Sequence, residues 1–203
     1  MARAQKPGYR CTECGWRTAK WVGRCGECQA WGTVEEEGGA SAARVVRPAA
    51  VSAPAVPIGQ VKAEIAQARA TGVGELDRVL GGGLVPGAVV LLAGEPGIGK
   101  STLLLDVAAR LAERETVLYV TGEESAAQVR MRADRIGAVR DRLYLAAETD
   151  LGAVLSHVEK VTPSMLVVDS VQTIGSAEVT GIPGGPAQVR EVAANLVRVA
   201  KER

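Results

Sequence analysis

Phenylalanine is absent from this chain of 203 residues, and tryptophan and tyrosine occur only three times each. The single histidine, His157, excludes Ser-His-Asp, Cys-His and His-rich metal chemistry unless that one residue supplies it. Basic and acidic residues nearly cancel, at 24 against 23, so the net charge indicates no class of partner. No apolar run approaches the roughly 18 residues of a membrane span, and no signal peptide is recognisable, which predicts a cytoplasmic protein without a membrane partner.

The few aromatic residues are unevenly distributed. Four of the six, Tyr9, Trp16, Trp21 and Trp31, lie in the first 31 residues. The same stretch contains six basic and two acidic residues, so it is basic although the chain is not. The composition predicts a zinc module over residues 1–36, a flexible linker of small residues and proline over 37–60, and a larger domain over 61–203.

The cysteines form two close pairs. Each pair has the spacing C-x2-C, and ten residues separate the pairs, which is typical of a tetrahedral zinc site. A segment of this length buries too little apolar surface to fold alone, so metal-ligand bonds would replace a core. A thioredoxin-like redox site is disfavoured because two pairs are present and neither lies in a strand-helix framework. The predicted zinc ligands are Cys11, Cys14, Cys25 and Cys28.

The tryptophans of the zinc module have two interpretations, which are compatible. The favoured one is that Trp16, Trp21 and Trp31 pack around the metal as a miniature core. The other is that one or two of them are exposed among basic residues as stacking platforms for nucleic-acid bases, each stack contributing ~1–3 kcal/mol.

A phosphate-binding loop follows an apolar run at residues 88–93, which predicts a buried strand. The loop has the pattern G-x-x-x-x-G-K-[ST] and precedes a helical pattern over 102–112, as a P-loop requires. In such a loop the backbone N–H groups bind phosphates, Lys100 reaches the β and γ phosphates, and the Ser101 hydroxyl ligates magnesium. The predicted nucleotide-binding residues here are Gly94, Glu95, Pro96, Gly97, Ile98, Gly99, Lys100, Ser101 and Thr102.

Two further apolar strands are predicted, and each has a carboxylate at its end or shortly after it. The strand at 164–169 ends at Asp169, which suits a Walker B aspartate that helps to hold magnesium. The strand at 116–121 is followed by Glu123, our candidate general base. The alternative for this segment is helix capping, since Thr121 and Glu124 have the spacing of a capping box for a helix over 125–136. We expect Glu124 to cap that helix and Glu123 to face the site.

Strands and helices alternate through the larger domain. A strand at 142–146, a helix at 150–161 and a final helix at 187–203 complete the pattern, which predicts a parallel α/β sheet covered on both faces. His157 is expected on the exposed side of its helix, with no functional role.

Three stretches together resemble one family. They are CTECGWRTAKWVGRCGECQAWGT, TGVGELDRVLGGGLVPGAVVLLAGEPGIGKSTLLLDVA, and the pair YVTGEES and LVVDSVQTI. They are similar to the bacterial RadA (Sms) DNA-repair ATPases, RecA relatives with an N-terminal zinc finger. The resemblance covers nearly everything except the linker.

This resemblance implies a RecA-like P-loop sheet that uses ATP, Mg2+ and Zn2+ to act on single-stranded or branched DNA in branch migration. It further implies a homo-hexameric ring and a partner recombinase. Glu123 and Lys100 fall on catalytic positions, and Gln172 falls where the γ-phosphate is sensed. Residues 176–188 fall where RecA-like proteins place a DNA-contacting loop, although their own glycines and prolines indicate only mobility.

The chain departs from the family at its end, where a Lys-Asn-Arg-Phe-Gly motif and a Lon-protease-like domain are absent. We therefore expect a truncated RecA-like core. The leading hypothesis is a DNA-dependent ATPase, and the alternative is a zinc- and nucleotide-binding DNA-binding fragment that does not hydrolyse ATP. A P-loop kinase or GTPase is disfavoured, since the guanine-specificity motif Asn-Lys-x-Asp is missing.

Overall fold

The structure is a computed structural model that describes residues 8–37, 54–60 and 67–202. The chain divides into two compact units, Met1–Val56 and Pro57–Arg203. Most of the linker predicted at 37–60 lies outside the described residues. Of its ends, Glu37 closes a strand and Ile58–Gln60 forms a 3-10 turn.

The first unit contains a small antiparallel sheet. Its strands are β1 (Gly8–Cys11), β2 (Arg17–Thr18) and β3 (Val34–Glu37), in the order β2-β1-β3. Cys11, Cys25 and Val34 are its buried residues, and Tyr9 and Trp16 pack against them half-buried. Such a core is too small to hold a fold by apolar burial alone, as the sequence predicts.

The second unit is an α/β fold, which confirms the predicted fold class. Its elements are α1 (Gly74–Val79), α2 (Lys100–Leu111), β4 (Val117–Thr121), α3 (Ala126–Ile136), β5 (Leu143–Ala147), α4 (Leu151–Val161), β6 (Met165–Asp169), a 3-10 turn (Val171–Thr173) and α5 (Pro186–Glu202). The three strands are parallel, in the order β5-β4-β6. All five residues of β4 are buried, as expected for a central strand covered on both faces.

Alternating residues of β4 belong to two separate cores. Val117 and Tyr119 lie in the core that contains Leu105 of α2 and residues of α3. Leu118 and Val120 lie in the core formed with α4 and α5. Because successive side chains of a strand point to opposite faces, these contacts place helices on both sides of the sheet.

Helix α3 begins at a capping box that differs from the predicted one. Ser125 is the N-cap: its hydroxyl accepts from the Gln128 N–H, and the Gln128 side chain accepts from the Ser125 N–H. The predicted box of Thr121 and Glu124 is wrong, although the Glu124 N–H does donate to Thr121 Oγ1 at 3.1 Å. The pair of Ser125 and Gln128 has the same spacing of three residues, and the sequence analysis did not identify it.

The strand predicted at residues 88–93 is not formed. Val89 and Val90 are about half exposed, and Leu91 is 81% exposed. A strand needs a neighbour for its backbone N–H and C=O groups, and this segment has no strand partner within the described residues. Apolar composition predicted the burial, but it carries no information on whether a neighbouring strand is available.

The remaining helices and strands lie within two residues of their predicted bounds. Within the part of the chain that the structure describes, no helix combines the length and apolar character that crossing a bilayer requires.

Candidate nucleotide site and metal centre

The four cysteines converge on one point in the first unit. Their sulfur atoms all lie within 4.8 Å of one another, with Cys11 Sγ 3.8 Å from Cys28 Sγ and Cys14 Sγ 3.5 Å from Cys25 Sγ. Each pair sits on a tight turn, since the Gly15 N–H donates to the Cys11 carbonyl and the Gln29 N–H to that of Cys25.

The spacing of the sulfur atoms suits zinc. Four thiolates around a tetrahedral Zn²⁺ at about 2.3 Å lie about 3.8 Å from one another, and the Cys11–Cys28 and Cys14–Cys25 separations of 3.8 and 3.5 Å are close to that value. All four cysteines are free of disulfides, as ligation of a metal by their thiolates requires. The fit supports the prediction of the four cysteines as zinc ligands.

The thiols have unequal acidity. The neighbouring Thr33 hydroxyl and nearby backbone N–H groups lower the pKa of Cys11 to about 6. At Cys28 the Ala30 N–H favours the thiolate, but burial and the adjacent cysteines outweigh it and raise the pKa to about 12. Thiolates packed this closely repel one another, so a bound dication is needed before all four can ionise.

The tryptophans do not form the expected miniature core. Trp16 packs on the second knuckle, where a Cβ on Gly26 would lie 2.8 Å from its ring. Trp21 and Trp31, in contrast, are 66% and 74% exposed. The core interpretation is therefore correct for one tryptophan of three. Spacing did not separate them, since all three lie close to the cysteines in sequence.

The predicted phosphate loop is a turn that runs directly into α2. Gly99 is the N-cap of this helix with φ +93°, a left-handed conformation that side chains rarely tolerate. The Lys100 ammonium donates to the carbonyl oxygens of Gly94 at 2.8 Å and Glu95 at 2.7 Å. These bonds draw the loop around the lysine.

The exposed loop presents its N–H groups to solvent. Among the described residues, no backbone carbonyl accepts from the N–H groups of Glu95 or of residues 97–99, and residues 94–99 are exposed. The positive end of the α2 dipole adds to these donors, which together favour an anion. Helix α2 packs against β4 and β6 and returns by a short loop into β4, so its N-terminus lies toward the carboxyl edge of the sheet.

Asp169 and Thr121 pair in register at that carboxyl edge. The Tyr119 hydroxyl donates to Asp169 Oδ2 at 2.6 Å, and the Gly122 N–H donates to the Asp169 backbone carbonyl at 3.0 Å. The predicted Walker B carboxylate is thus held on both its side chain and its backbone by β4 and the turn that follows it.

The two adjacent glutamates have different partners. The Ser170 hydroxyl donates to Glu123 Oε1 at 2.6 Å, which brings Glu123 beside the residue that follows Asp169. Glu124 instead forms an ion pair with Arg132 of α3. The arrangement supports Glu123 as the candidate base, because Glu124 is neutralised by a guanidinium.

The residues that follow β4 and β5 and the 3-10 turn after β6 approach one another closely at Gly122. A Cβ on Gly122 would lie 2.8 Å from the Cβ of Thr173 and 3.3 Å from the carbonyl oxygen of Glu148. The glycine therefore permits this close approach. Gln172 lies exposed in the 3-10 turn next to Thr173, where its predicted contact with a γ-phosphate stays a prediction.

The segment 176–188 is fastened by a buried side chain. Gln188 is 3% exposed; its Oε1 accepts from the Ser176 N–H at 2.7 Å, and its Nε2 donates to the carbonyls of Ser176, Val179 and Gly181. Glycine and proline content indicated only mobility here and did not reveal the hydrogen bonds of Gln188.

His157 was expected on the exposed side of its helix. Its side chain instead has a partner, since its Nε2 lies 3.1 Å from Glu148 Oε1.

Sequence reasoning missed three residues of this site: Tyr119, Ser170 and Gly122. Tyr119 lies within the strand predicted at 116–121, and the local pattern gave its hydroxyl no role. A signal was available for Ser170 and Gly122, since each directly adjoins a predicted functional residue or strand end. The bond from Tyr119 to Asp169 depends on strand pairing across 50 residues, which a single sequence does not give.

Comparison with known proteins agrees with this geometry. Residues 57–202 match the family described as AAA domain, and residues 9–36 match the rubredoxin metal binding domain. Relatives named DNA repair protein RadA are 52% identical in Mycolicibacterium smegmatis, over 95% of this chain and 43% of that protein, and 44% identical in Halalkalibacterium halodurans, over 97% and 44%. The chain thus spans less than half the length of these curated relatives. Since the AAA domain match extends over most of the residues, the chain belongs to the AAA domain family.

Proposed function

We propose that this chain provides the zinc-binding and ATP-hydrolysing portion of a DNA-dependent ATPase that acts in DNA repair and on recombination intermediates, including branch migration. The observation that carries the proposal is the hydrogen bond from the Ser170 hydroxyl to Glu123 Oε1 at 2.6 Å, since Ser170 directly follows the Walker B position Asp169. A carboxylate placed there suits the activation of water at a phosphate bound on the loop 94–99.

Each residue of the site then has a chemical task. The N–H groups of Glu95 and of residues 97–99 bind the phosphates together with the Lys100 ammonium, which leaves its loop carbonyls for phosphate oxygens. Ser101 and Asp169 would hold Mg²⁺, which when bound neutralises charge on the phosphates. Glu123 accepts the proton of the attacking water, and Gln172 contacts the γ-phosphate.

DNA as the partner is supported by the relatives, which are named DNA repair proteins. We extend this to single-stranded or branched DNA, to a recombinase as a protein partner, and to a homo-hexamer in which neighbouring subunits complete each nucleotide site. These extensions concern proteins of the relatives' full length, of which this chain spans 43–44%.

The exposure of residues 89–91 favours a second candidate. The segment directly before the phosphate loop is not held in the sheet, and a loop without a rigid mount is poorly placed for catalysis. The second candidate is therefore a non-hydrolysing module that binds zinc, nucleotide and DNA.

One experiment separates the two candidates. ATP hydrolysis and binding of a fluorescent ATP analogue are measured for this chain with and without a single-stranded oligonucleotide, with Lys100→Ala as the control. The ATPase proposal expects hydrolysis that rises with the oligonucleotide and is lost in Lys100→Ala. Binding without hydrolysis, equal with and without DNA, would support the second candidate, and absence of nucleotide binding would contradict both.

A further inference from the structure

We propose that Trp21 and Trp31 form a platform on which the bases of single-stranded nucleic acid stack. The inference rests on the proposed function for its choice of DNA as the partner. The two rings are 66% and 74% exposed, in a chain that has only six aromatic residues. Large aromatic side chains left in water cost free energy, and exposed groups of them commonly mark contact surfaces.

The two rings lie beside the same residue. An added Cβ on Gly23 would be 3.7 Å from the Trp21 ring and 3.8 Å from the Trp31 ring. Gly23 thus leaves the space between the rings free of a side chain. We call the surface formed by Trp21, Gly23 and Trp31 the tryptophan platform.

The backbone holds the tryptophan platform in place. The Gly32 N–H donates to the Gly23 carbonyl at 2.9 Å, and Arg24 and Trp31 pair as an isolated antiparallel bridge. Cys25, one of the predicted zinc ligands, directly follows Arg24. The rings are therefore carried by a segment that the metal centre fixes, which lowers the ordering cost of binding.

Charge next to the platform favours a polyanion. The Arg24 guanidinium carbon lies 5.7 Å from the Trp31 ring centroid, and its Nε donates to the Gln29 carbonyl. Arg17, Lys20 and Arg24 are exposed, and no acidic residue occurs between Cys14 and Gly26. Flat rings flanked by cations match the alternation of bases and phosphates in a single strand.

Trp16 provides an internal contrast. Its ring packs against Gly26 on the second knuckle and belongs to the small core. One tryptophan of the module therefore serves packing, while the other two are free to contact a ligand. All three tryptophans of the chain lie in this module, so its intrinsic tryptophan fluorescence reports on the module alone.

The test is a fluorescence titration of the zinc-loaded chain with two oligomers of equal length. One is oligothymidylate, and the other is an abasic deoxyribose phosphate strand that keeps the phosphates but has no bases. Stacking predicts quenching and tight binding for oligothymidylate, and at least about fivefold weaker binding with little quenching for the abasic strand. Equal affinity and equal quenching would overturn the proposal.

Variants assign the effect to the platform. Trp21→Ala with Trp31→Ala should lower affinity for oligothymidylate at least about fivefold per ring while affinity for the abasic strand stays unchanged. Trp16→Phe, which keeps a core ring, should leave oligothymidylate affinity unchanged. Zinc is measured in each variant by elemental analysis. Loss of zinc in the double alanine variant would show a structural role and overturn the proposal, unless Trp21→Leu with Trp31→Leu, which keeps apolar bulk but has no ring to stack on, keeps zinc and still weakens only oligothymidylate binding.

The outcome is separable from that of the proposed function. ATP binding is measured on the same samples, and it depends on residues of the other unit. Normal ATP binding with no oligonucleotide response overturns the platform alone, and would leave a protein as the partner for this surface. Oligothymidylate stacking without any ATP binding supports the platform and contradicts the ATPase.

Discussion

The Tyr119 hydroxyl donates a 2.6 Å hydrogen bond to Oδ2 of Asp169, linking the central strand of the sheet to the carboxylate at the end of its neighbour. Tyr119 pairs in register with Val167, two residues before Asp169, so both side chains lie on one face. Burial, together with the Asp169 carboxylate, raises the pKa of Tyr119. The phenol therefore keeps its proton and remains a donor throughout the working range of pH.

Replacing Tyr119 by phenylalanine should raise the magnesium concentration that nucleotide binding requires. The ring volume is conserved, but Asp169 loses the donor that orients it, and loss of such a partner costs about tenfold in metal affinity. The magnesium concentration at half-maximal binding of an ATP analogue should rise by about that factor. Tyr144→Phe, a change on the exposed strand β5, is the control. Identical magnesium midpoints would show that the bond is structural only.

Neutralising the two adjacent glutamates should have different effects. Glu123→Gln should keep nucleotide binding and slow hydrolysis by about 100-fold or more, because the base that accepts the water proton is removed. Glu124→Gln should instead destabilise the fold by about 1–2 kcal/mol, since it removes the partner of the mostly buried Arg132. Single-turnover hydrolysis and urea unfolding measure the two quantities. Normal hydrolysis in Glu123→Gln would transfer the catalytic role to Glu124 or to another subunit.

Zinc binding should release protons and weaken in acid. Without metal, the raised pKa of Cys28, about 12, keeps its thiol protonated at neutral pH, while Cys11, with a pKa of about 6, is already largely ionised. Binding at pH 7 must therefore displace at least the Cys28 proton, and affinity should fall steeply as the pH drops below about 6, where Cys11 also protonates. Calorimetry in two buffers of different ionisation enthalpy counts the protons. A heat independent of buffer would contradict this expectation.

Gln188→Ala should release the segment 176–188. The variant loses four hydrogen bonds and leaves buried backbone groups such as the Ser176 N–H without a partner, at a cost of about 2–3 kcal/mol in the free energy of unfolding. The rate of hydrogen exchange at the Ser176 amide should increase by the factor that corresponds to this loss of free energy. Gln172→Ala changes an exposed residue of the same type and should leave both measurements unchanged. Equal exchange in both variants would mean that the segment is held by other contacts.

The parts of this structure that follow from the sequence are those set by local pattern. The spacing of Cys11, Cys14, Cys25 and Cys28 brought four sulfur atoms together, and apolar runs gave three of the four predicted strands of the larger unit. Local pattern fails where a distant partner decides the outcome. Residues 88–93 have the composition of a buried strand, yet the described residues offer no neighbour.

The contacts that a side chain makes with distant residues also explain why some predictions for single residues were wrong. Glu124 had the spacing of a cap, but Arg132, eight residues further on, takes its carboxylate. Trp16 and Trp31 are of one type and in one module, but Trp16 packs against Gly26 and the small core, while Trp31 is exposed. These outcomes depend on chain geometry that composition and period do not contain.

The exposure of Val89, Val90 and Leu91 has a consequence for solubility. Contiguous exposed apolar residues with high β-propensity and no charge promote association between copies of a chain. Light scattering from the isolated polypeptide should therefore increase more than linearly with concentration, and Leu91→Lys should suppress the increase by placing a charge at the most exposed of the three positions. Dilute samples would then be the condition in which its zinc, nucleotide and DNA affinities describe single molecules.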